Sequence, residues 1–366
     1  MLFAYTYVPH KMEKMQRYVN YIFYQVWCRA RKAGAYDLSL FDENSGLKEV
    51  MTSFAYDHTK EGDKFSTQVQ AIYESFAKLS RQEIAQFKRW YQANNNIPKI
   101  CANNPKTELV RYADIAVNQK ALSDQLGIFF KGLYSQSLLD LVALRAKIGD
   151  IDDHYQIFME TNNAGKCPFC GINDLLGEYH SKREAYDHYL PKAIYPFNSI
   201  NFKNLVPACH HCNSSYKTTK DPAYTPKDPA RLVHRRAVFY PYSTAPHTID
   251  ITVELNKTDV ANLTPADINL QFGPAAVNEQ IETWKDVYGI EERYKAKLCG
   301  ENDGKYWLIQ VLDEWKEDGR EPAQFIRTLT RQAQKKPFAE CNFLKKPFLD
   351  ACQTNGLFDV LAPVQP

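Results

Sequence analysis

Apolar residues recur at helical spacing from the first stretch of the chain. Met15, Val19, Ile22 and Val26 form one stripe, which predicts a helix from about residue 11 to 34. A longer stripe runs through Phe65, Val69, Ile72, Phe76 and Leu79 towards Gln92. Within it, Ser80-Arg81-Gln82-Glu83 has the form of a capping box, in which the Ser hydroxyl and the Glu carboxylate each satisfy a backbone N–H at a helix start. Two helices meeting at Ser80 are therefore expected, the second ended by Asn94-Asn95-Asn96-Ile97-Pro98. Further helices are predicted over 106–118 and 121–148, the latter carrying Leu126, Phe129, Phe130, Leu133, Leu138, Leu139 and Val142. Stripes of this kind pack cores, and no chemistry is assigned to them.

The pattern changes at Asn162-Asn163-Ala164-Gly165, a turn-rich stretch. Beyond residue 220, Pro222, Pro226, Pro229, Pro241 and Pro246 forbid a long helix. Between them, 237–240 and 249–255 read as short strands, the second alternating apolar and polar residues throughout. Thr264-Pro265-Ala266-Asp267 looks like a helix start, with Pro at the first helical position. Helical patterns follow at 274–299, 304–317, 321–334 and 338–353. The predicted architecture is mainly α with a small α+β core. It comprises a helical N-terminal domain (1–160), a central module (161–245), and a C-terminal domain of a short strand and helices (246–366).

Composition adds little direction. The 366 residues are 44% hydrophobic and 24% charged, as in an ordinary globular protein, and the formal net charge of +2 gives no whole-chain signature of nucleic-acid binding. No run of about twenty apolar residues suggests a membrane span, and the start lacks a basic-then-apolar export layout. Nine cysteines are present, but Cys28, Cys101, Cys299, Cys341 and Cys352 are scattered. Reduced thiols and a cytoplasmic location are expected.

The remaining cysteines change the picture. They form two Cys-x-x-Cys pairs, Cys167/Cys170 and Cys209/Cys212. A tight turn at each pair points both sulfurs inward, and two such knuckles complete a tetrahedron around zinc; Pro168 and Gly171 suit the first. Buried free cysteines or a redox pair are the alternatives, although redox chemistry needs only one pair. Closed sulfur coordination leaves no open position, so this zinc is expected to be structural. Between the pairs lies Asp187-His188, and Asn213 follows the second pair at once. Asn204-Leu205-Val206 suits the second strand of a hairpin whose first strand carries Asp187-His188. On a helix starting near His210, Asn213 and Lys217 share one face. If that face meets the hairpin, Asp187 and Asn213 become two hard oxygen ligands for one cation, Mg²⁺ or Mn²⁺ rather than zinc. His188 would then titrate in the range a general base needs.

These residues resemble the HNH endonuclease family over roughly 160–225. Asp187, His188, Pro191, Asn204, Leu205, Cys209, Cys212 and Asn213 fill its pattern of an acidic residue and His, Pro, Asn-Leu and Cys-x-x-Cys-Asn. The resemblance implies a ββα-metal fold braced by a four-cysteine zinc, and hydrolysis of nucleic-acid phosphodiesters, DNA favoured over RNA. His188 would be the general base and Asp187 and Asn213 the Mg²⁺ or Mn²⁺ ligands, while Asn204 would fix the loop and orient the imidazole. Lys217 would contact phosphate, although the family's lysine usually lies three residues after the helix Asn rather than four. Lys220, Arg235 and Arg236, with Lys203, Lys227 and Arg231, offer a local phosphate-binding surface. His210 and His211 are expected at the surface, and His154 and His180 in structural roles. Similar modules with helical additions serve as effectors in bacterial anti-phage systems, some with an ATPase partner, and such a role is implied. The rival reading is a zinc ribbon or interaction protein that binds and cleaves nothing.

Overall fold

Helices account for 58% of the chain, with two small antiparallel sheets, in this computed structural model. It describes every residue except Ala164, Glu178, Arg231 and 361–366. The N-terminal stripe forms α1 (Glu13–Tyr21), whose winding widens into a π-turn over Ile22–Val26, tightens over Trp27–Arg29 and ends at Ala30–Ala33. Ile22, Phe23, Val26 and Trp27 are all fully buried, and the irregular winding turns these closely spaced large side chains into the core.

Helices α2 (Ser45–Tyr56), α3 (Lys60–Ala77) and α4 (Arg81–Asn94) follow. The capping box forms reciprocally at α4: the Glu83 N–H donates to Ser80 Oγ (3.2 Å) and the Ser80 N–H to Glu83 Oε2 (2.8 Å). The helices expected over 106–118 and 121–148 divide differently. Leu109 and Val110 are extended and buried, because Asn94 at the end of α4 accepts the Val110 N–H and donates to its carbonyl. Helix α5 (Tyr112–Gly132) then runs through a kink at Gln119, and short helices at Gln136–Leu139 and Val142–Ile148 lead to α6 (Ile151–Asn162).

Strand β1 (Tyr186–His188) pairs antiparallel with β2 (Leu205–Pro207), placing Asp187 opposite Val206 and His188 opposite Leu205. A π-helix follows at His211–Lys217. Residues 237–240, expected as a strand, pair with no sheet. Their N–H groups go instead to the Cys101 carbonyl (Val238, 2.9 Å) and to Glu279 (Ala237, 2.8 Å). Strand β3 (Asp250–Leu255) forms as expected and pairs with β4 (Ile268–Gly273), which stands where a helix was predicted. The Thr264 cap is present but serves a single 3₁₀ turn, Pro265–Asp267. The alternation of buried Ile268 and Leu270 with exposed Asn269 and Gln271 then imposes a strand. Helices α7 (Asn278–Tyr288), α8 (Ile290–Leu298), α9 (Gly304–Asp318), α10 (Pro322–Lys335) and α11 (Asn342–Thr354) follow, then a short helix at Leu357–Val360, with Gly289 at φ +59° breaking what was expected as one helix.

Buried apolar residues from Met1 to Phe358 form one continuous cluster. Its most telling contact for the site is Phe197, held at φ +79° in the loop between β1 and β2 and fully buried. Its ring packs against Phe23 (5.7 Å), Tyr91 (5.2 Å) and Phe130 (5.2 Å), all from the N-terminal helices. Asn94 donates to the Pro196 carbonyl (3.0 Å), and Asn198 returns a bond to the Asn94 carbonyl (3.3 Å). The helical region thus sets the course of the loop. No described helix is long and apolar enough to cross a membrane.

His154 of α6 is 2% exposed, with Nδ1 on the Tyr186 hydroxyl and Nε2 on the Val8 carbonyl (3.3 Å). Burial lowers its pKa from 6.5 to about 4. The folded state therefore favours the neutral ring, and the unfolded chain binds the proton first as pH falls. Stability is expected to be complete above about pH 6.5 and to fall by on the order of 3 kcal/mol towards pH 4. Denaturant unfolding at stepped pH checks this: His154→Gln should flatten that part of the slope, and an unchanged slope refutes the assignment.

Candidate functional site

The first knuckle closes through the Gly171 N–H donating to the Cys167 carbonyl (2.8 Å), with Gly171 at φ +66°. A Cβ there would lie 2.4 Å from Leu2 Cδ1 and 2.9 Å from the Phe343 ring, so backbone and packing both demand glycine. In the second knuckle the Cys212 N–H points at Cys209 Sγ (3.5 Å). All four cysteines are buried, and their sulfurs lie within 4.8 Å of one another. Zinc–sulfur bonds of about 2.3 Å give a tetrahedron with an edge of about 3.8 Å. The Cys170–Cys209 separation of 4.0 Å matches that edge, so Cys167, Cys170, Cys209 and Cys212 can hold a metal such as zinc.

The C-terminal helices back this cluster. Trp284 Nε1 donates to the Phe169 carbonyl (2.6 Å), and the Tyr294 hydroxyl to the Cys170 carbonyl (2.9 Å). Arg293 donates to Cys212 Sγ (3.2 Å) while its guanidinium lies over the Tyr216 ring (4.6 Å). A cation there offsets part of the net negative charge that four thiolates leave around a divalent ion. Nothing in the sequence pattern distinguishes Arg293 from other helix-surface cations. His210 and His211 are exposed, and His211 bonds Asn173 (2.7 Å), outside the sulfur cage.

Asp187 and Lys217 face each other inside the protein, 3% and 0% exposed, with Nζ 2.8 Å from Oδ1. The same ammonium donates to the His188 carbonyl (2.8 Å). Lys217 is therefore no surface phosphate contact, contrary to expectation. The helix that carries Lys217 is π-wound over its whole length, His211–Lys217. Burial pushes the Asp187 carboxyl above its ordinary range, and Lys217 pulls it back. Asp187 Oδ2 is buried and bonds nothing. Tyr288, whose hydroxyl is also buried and unbonded, senses the same carboxylate. Asn213 is half-buried one turn before Lys217, and its N–H donates to the Cys209 carbonyl (3.0 Å).

His188 is half-buried, and its Nε2 meets the Ser199 carbonyl at 2.8 Å. A carbonyl only accepts, so Nε2 carries the proton and Nδ1 keeps a free lone pair. Burial first, then the nearby Lys192 charge, lowers the pKa of His188 to about 3, well below the near-neutral titration expected of a general base. Asn204 is fully buried: Oδ1 accepts the Leu190 N–H (2.7 Å), and Nδ2 donates to the carbonyls of Leu190 (3.1 Å) and Asn198 (3.3 Å). It clamps both ends of the loop that presents the Ser199 carbonyl to His188. The ring of Tyr134, from just after α5, stands edge-on to the imidazole at 4.9 Å. An aromatic residue in a helical stripe gave no sign of this contact.

The expected basic surface is partly spent inside the molecule. Arg236 is buried on Asp286 (2.7 Å) and the Asp221 carbonyl (2.9 Å), and Lys220 reaches the Asp286 carbonyl (2.9 Å). Arg235 bonds the Ile100 carbonyl (3.3 Å) and lies over Tyr224 (5.5 Å). Lys203 and Lys227 are exposed, and Arg231 lies outside the described residues. The exposed His180 accepts the Gly177 N–H (3.0 Å).

The chain is similar to Septu protein PtuB of Bacillus thuringiensis, 35% identical over 71 residues, which are 19% of this chain and 26% of that protein. It is also similar to protein ea31 of Escherichia phage lambda, 41% identical over 59 residues, 16% of this chain and 18% of the other. The similarity thus spans about a quarter or less of these relatives. No family model and no solved structure matches the chain.

Elemental analysis of the purified protein is expected to find one zinc per chain, and stripping it with a chelator should lower the melting temperature by several degrees. Cys170→Ser should lower both the zinc content and the melting temperature without any chelator. A protein that melts unchanged after stripping would show that the sulfurs close the fold without an ion.

Proposed function

We propose that the protein is a metal-dependent HNH-type endonuclease that hydrolyses phosphodiester bonds of nucleic acid, DNA in preference to RNA. The observation that carries this is the state of His188. Its proton is fixed on Nε2 by the Ser199 carbonyl, which leaves the Nδ1 lone pair free. A neutral imidazole of this kind can take a proton from an attacking water. The hydrogen bond to Ser199, held in turn by the Asn204 clamp, restricts the ring to one tautomer and one orientation.

The unbonded Oδ2 of Asp187 and the amide oxygen of Asn213 are hard donors that fit Mg²⁺ or Mn²⁺. Such an ion, when bound, would neutralise charge developing on the scissile phosphate and the leaving oxygen. Lys217 already balances one oxygen of Asp187 and fastens the backbone of His188, so it ties these two neighbours of β1 to the π-helix. The stretch shared with Septu protein PtuB supports a place in anti-phage defence; an ATPase or other defence protein as partner is part of our proposal. One observation favours the rival, non-catalytic reading: an ammonium already satisfies the carboxylate that would hold the catalytic ion.

The test is cleavage of plasmid DNA and of RNA with Mg²⁺ or Mn²⁺ by wild type and His188→Ala. The variant should lose activity by about 100-fold or more. Equal cleavage by both proteins removes His188 from the chemistry, and cleavage by neither returns the non-catalytic reading.

A further inference from the structure

Most cations near the candidate site are engaged. Lys217 is spent on Asp187, Arg236 on Asp286, Lys220 on a backbone carbonyl, and Arg235 on another. Lys192 is different. Among the described residues it has no carboxylate partner; its ammonium reaches only the Lys131 carbonyl, at 3.4 Å, and lies 5.5 Å from the centre of the Tyr134 ring. That same ring stands edge-on to His188 at 4.9 Å, so one aromatic platform carries both the cation and the imidazole. The Tyr134 hydroxyl is buried and bonds nothing.

The backbone under Lys192 is fixed. Leu190 is held at both its N–H and its carbonyl by Asn204. The Pro191 carbonyl accepts the N–H groups of Ile194 (2.9 Å) and Tyr195 (3.0 Å), closing a tight turn around Lys192. Lys192 is half-buried, and that burial lowers its pKa. Its charge is also the second cause, after burial, of the lowered pKa of His188, which places the two groups within electrostatic reach.

We propose that Lys192, steadied on Tyr134, takes the backbone phosphate of the nucleic acid at His188, so that the N-terminal helices complete the site. This rests on the nuclease reading above. Lys192 would touch substrate, whereas Tyr134 would act only by placing it.

The experiment uses the full chain and a DNA duplex, with binding measured in a His188→Ala background over a range of salt concentrations. Lys192→Met is expected to weaken binding about tenfold and to lower the salt slope by about 0.9, the signature of one lost phosphate contact. Lys192→Arg should restore both, which a merely structural lysine would not show in the slope. Tyr134→Leu should weaken binding when Lys192 is present and change little in the Lys192→Met background. If Lys192→Met leaves affinity and slope unchanged, or if Tyr134→Leu acts equally in both backgrounds, the proposal is overturned. Should Lys192→Met also cleave like wild type while His188→Ala is inactive, the nuclease reading survives and this one alone falls. If the wild type neither cleaves nor binds DNA, both fail together.

Discussion

Four sulfurs converging on one point join two segments that are 39 residues apart, counted from Cys170 to Cys209, and the rest of the site hangs from that junction. The second knuckle leads directly into the π-helix, and that helix sends Lys217 into the hairpin. The first is gripped by Trp284, Tyr294 and the N-terminal Leu2, whose N–H donates to the Pro168 carbonyl (2.9 Å). Three-residue strands are too short to hold each other alone, and a metal held by the four sulfurs would cross-link the segments on either side of them.

Around this junction the flanking regions act as walls. N-terminal helices grip the loop between the strands through Asn94 and the aromatic rings around Phe197. C-terminal helices cover the sulfurs, and at Gly289 a Cβ would come within 2.5 Å of the Tyr216 ring, so α7 and α8 meet the π-helix at backbone distance. In the buried Lys217–Asp187 pair the ammonium keeps two acceptors, Asp187 Oδ1 and the His188 carbonyl, while Oδ2 of Asp187 stays unpaired.

Much of the local order was legible in the chain. The capping box at Ser80, the two knuckles, β3 and the short strands at Asp187-His188 and Leu205-Val206 all rest on patterns a few residues long, and near neighbours decide them. What escaped depends on distant partners. Lys217 read as a surface cation because its burial follows from how its helix lies on the hairpin, which spacing does not encode. The strand β4 was hidden by a genuine helix cap, overruled by pairing with β3. Residues 237–240 had strand character but found a helix end rather than another strand. Tyr134 and Arg293 carry no local signature at all; only the assembled structure brings them to His188 and Cys212.

Phe197 carries a wider consequence. A bulky residue in left-handed backbone costs about 1–3 kcal/mol and persists only where surroundings compel it. Its compulsion comes from rings more than sixty residues away in the chain, two residues before the carbonyl that orients His188. The central segment is consequently not a detachable cassette: grafted elsewhere without its helical neighbours, it would keep its sulfurs but lose the aim of its imidazole.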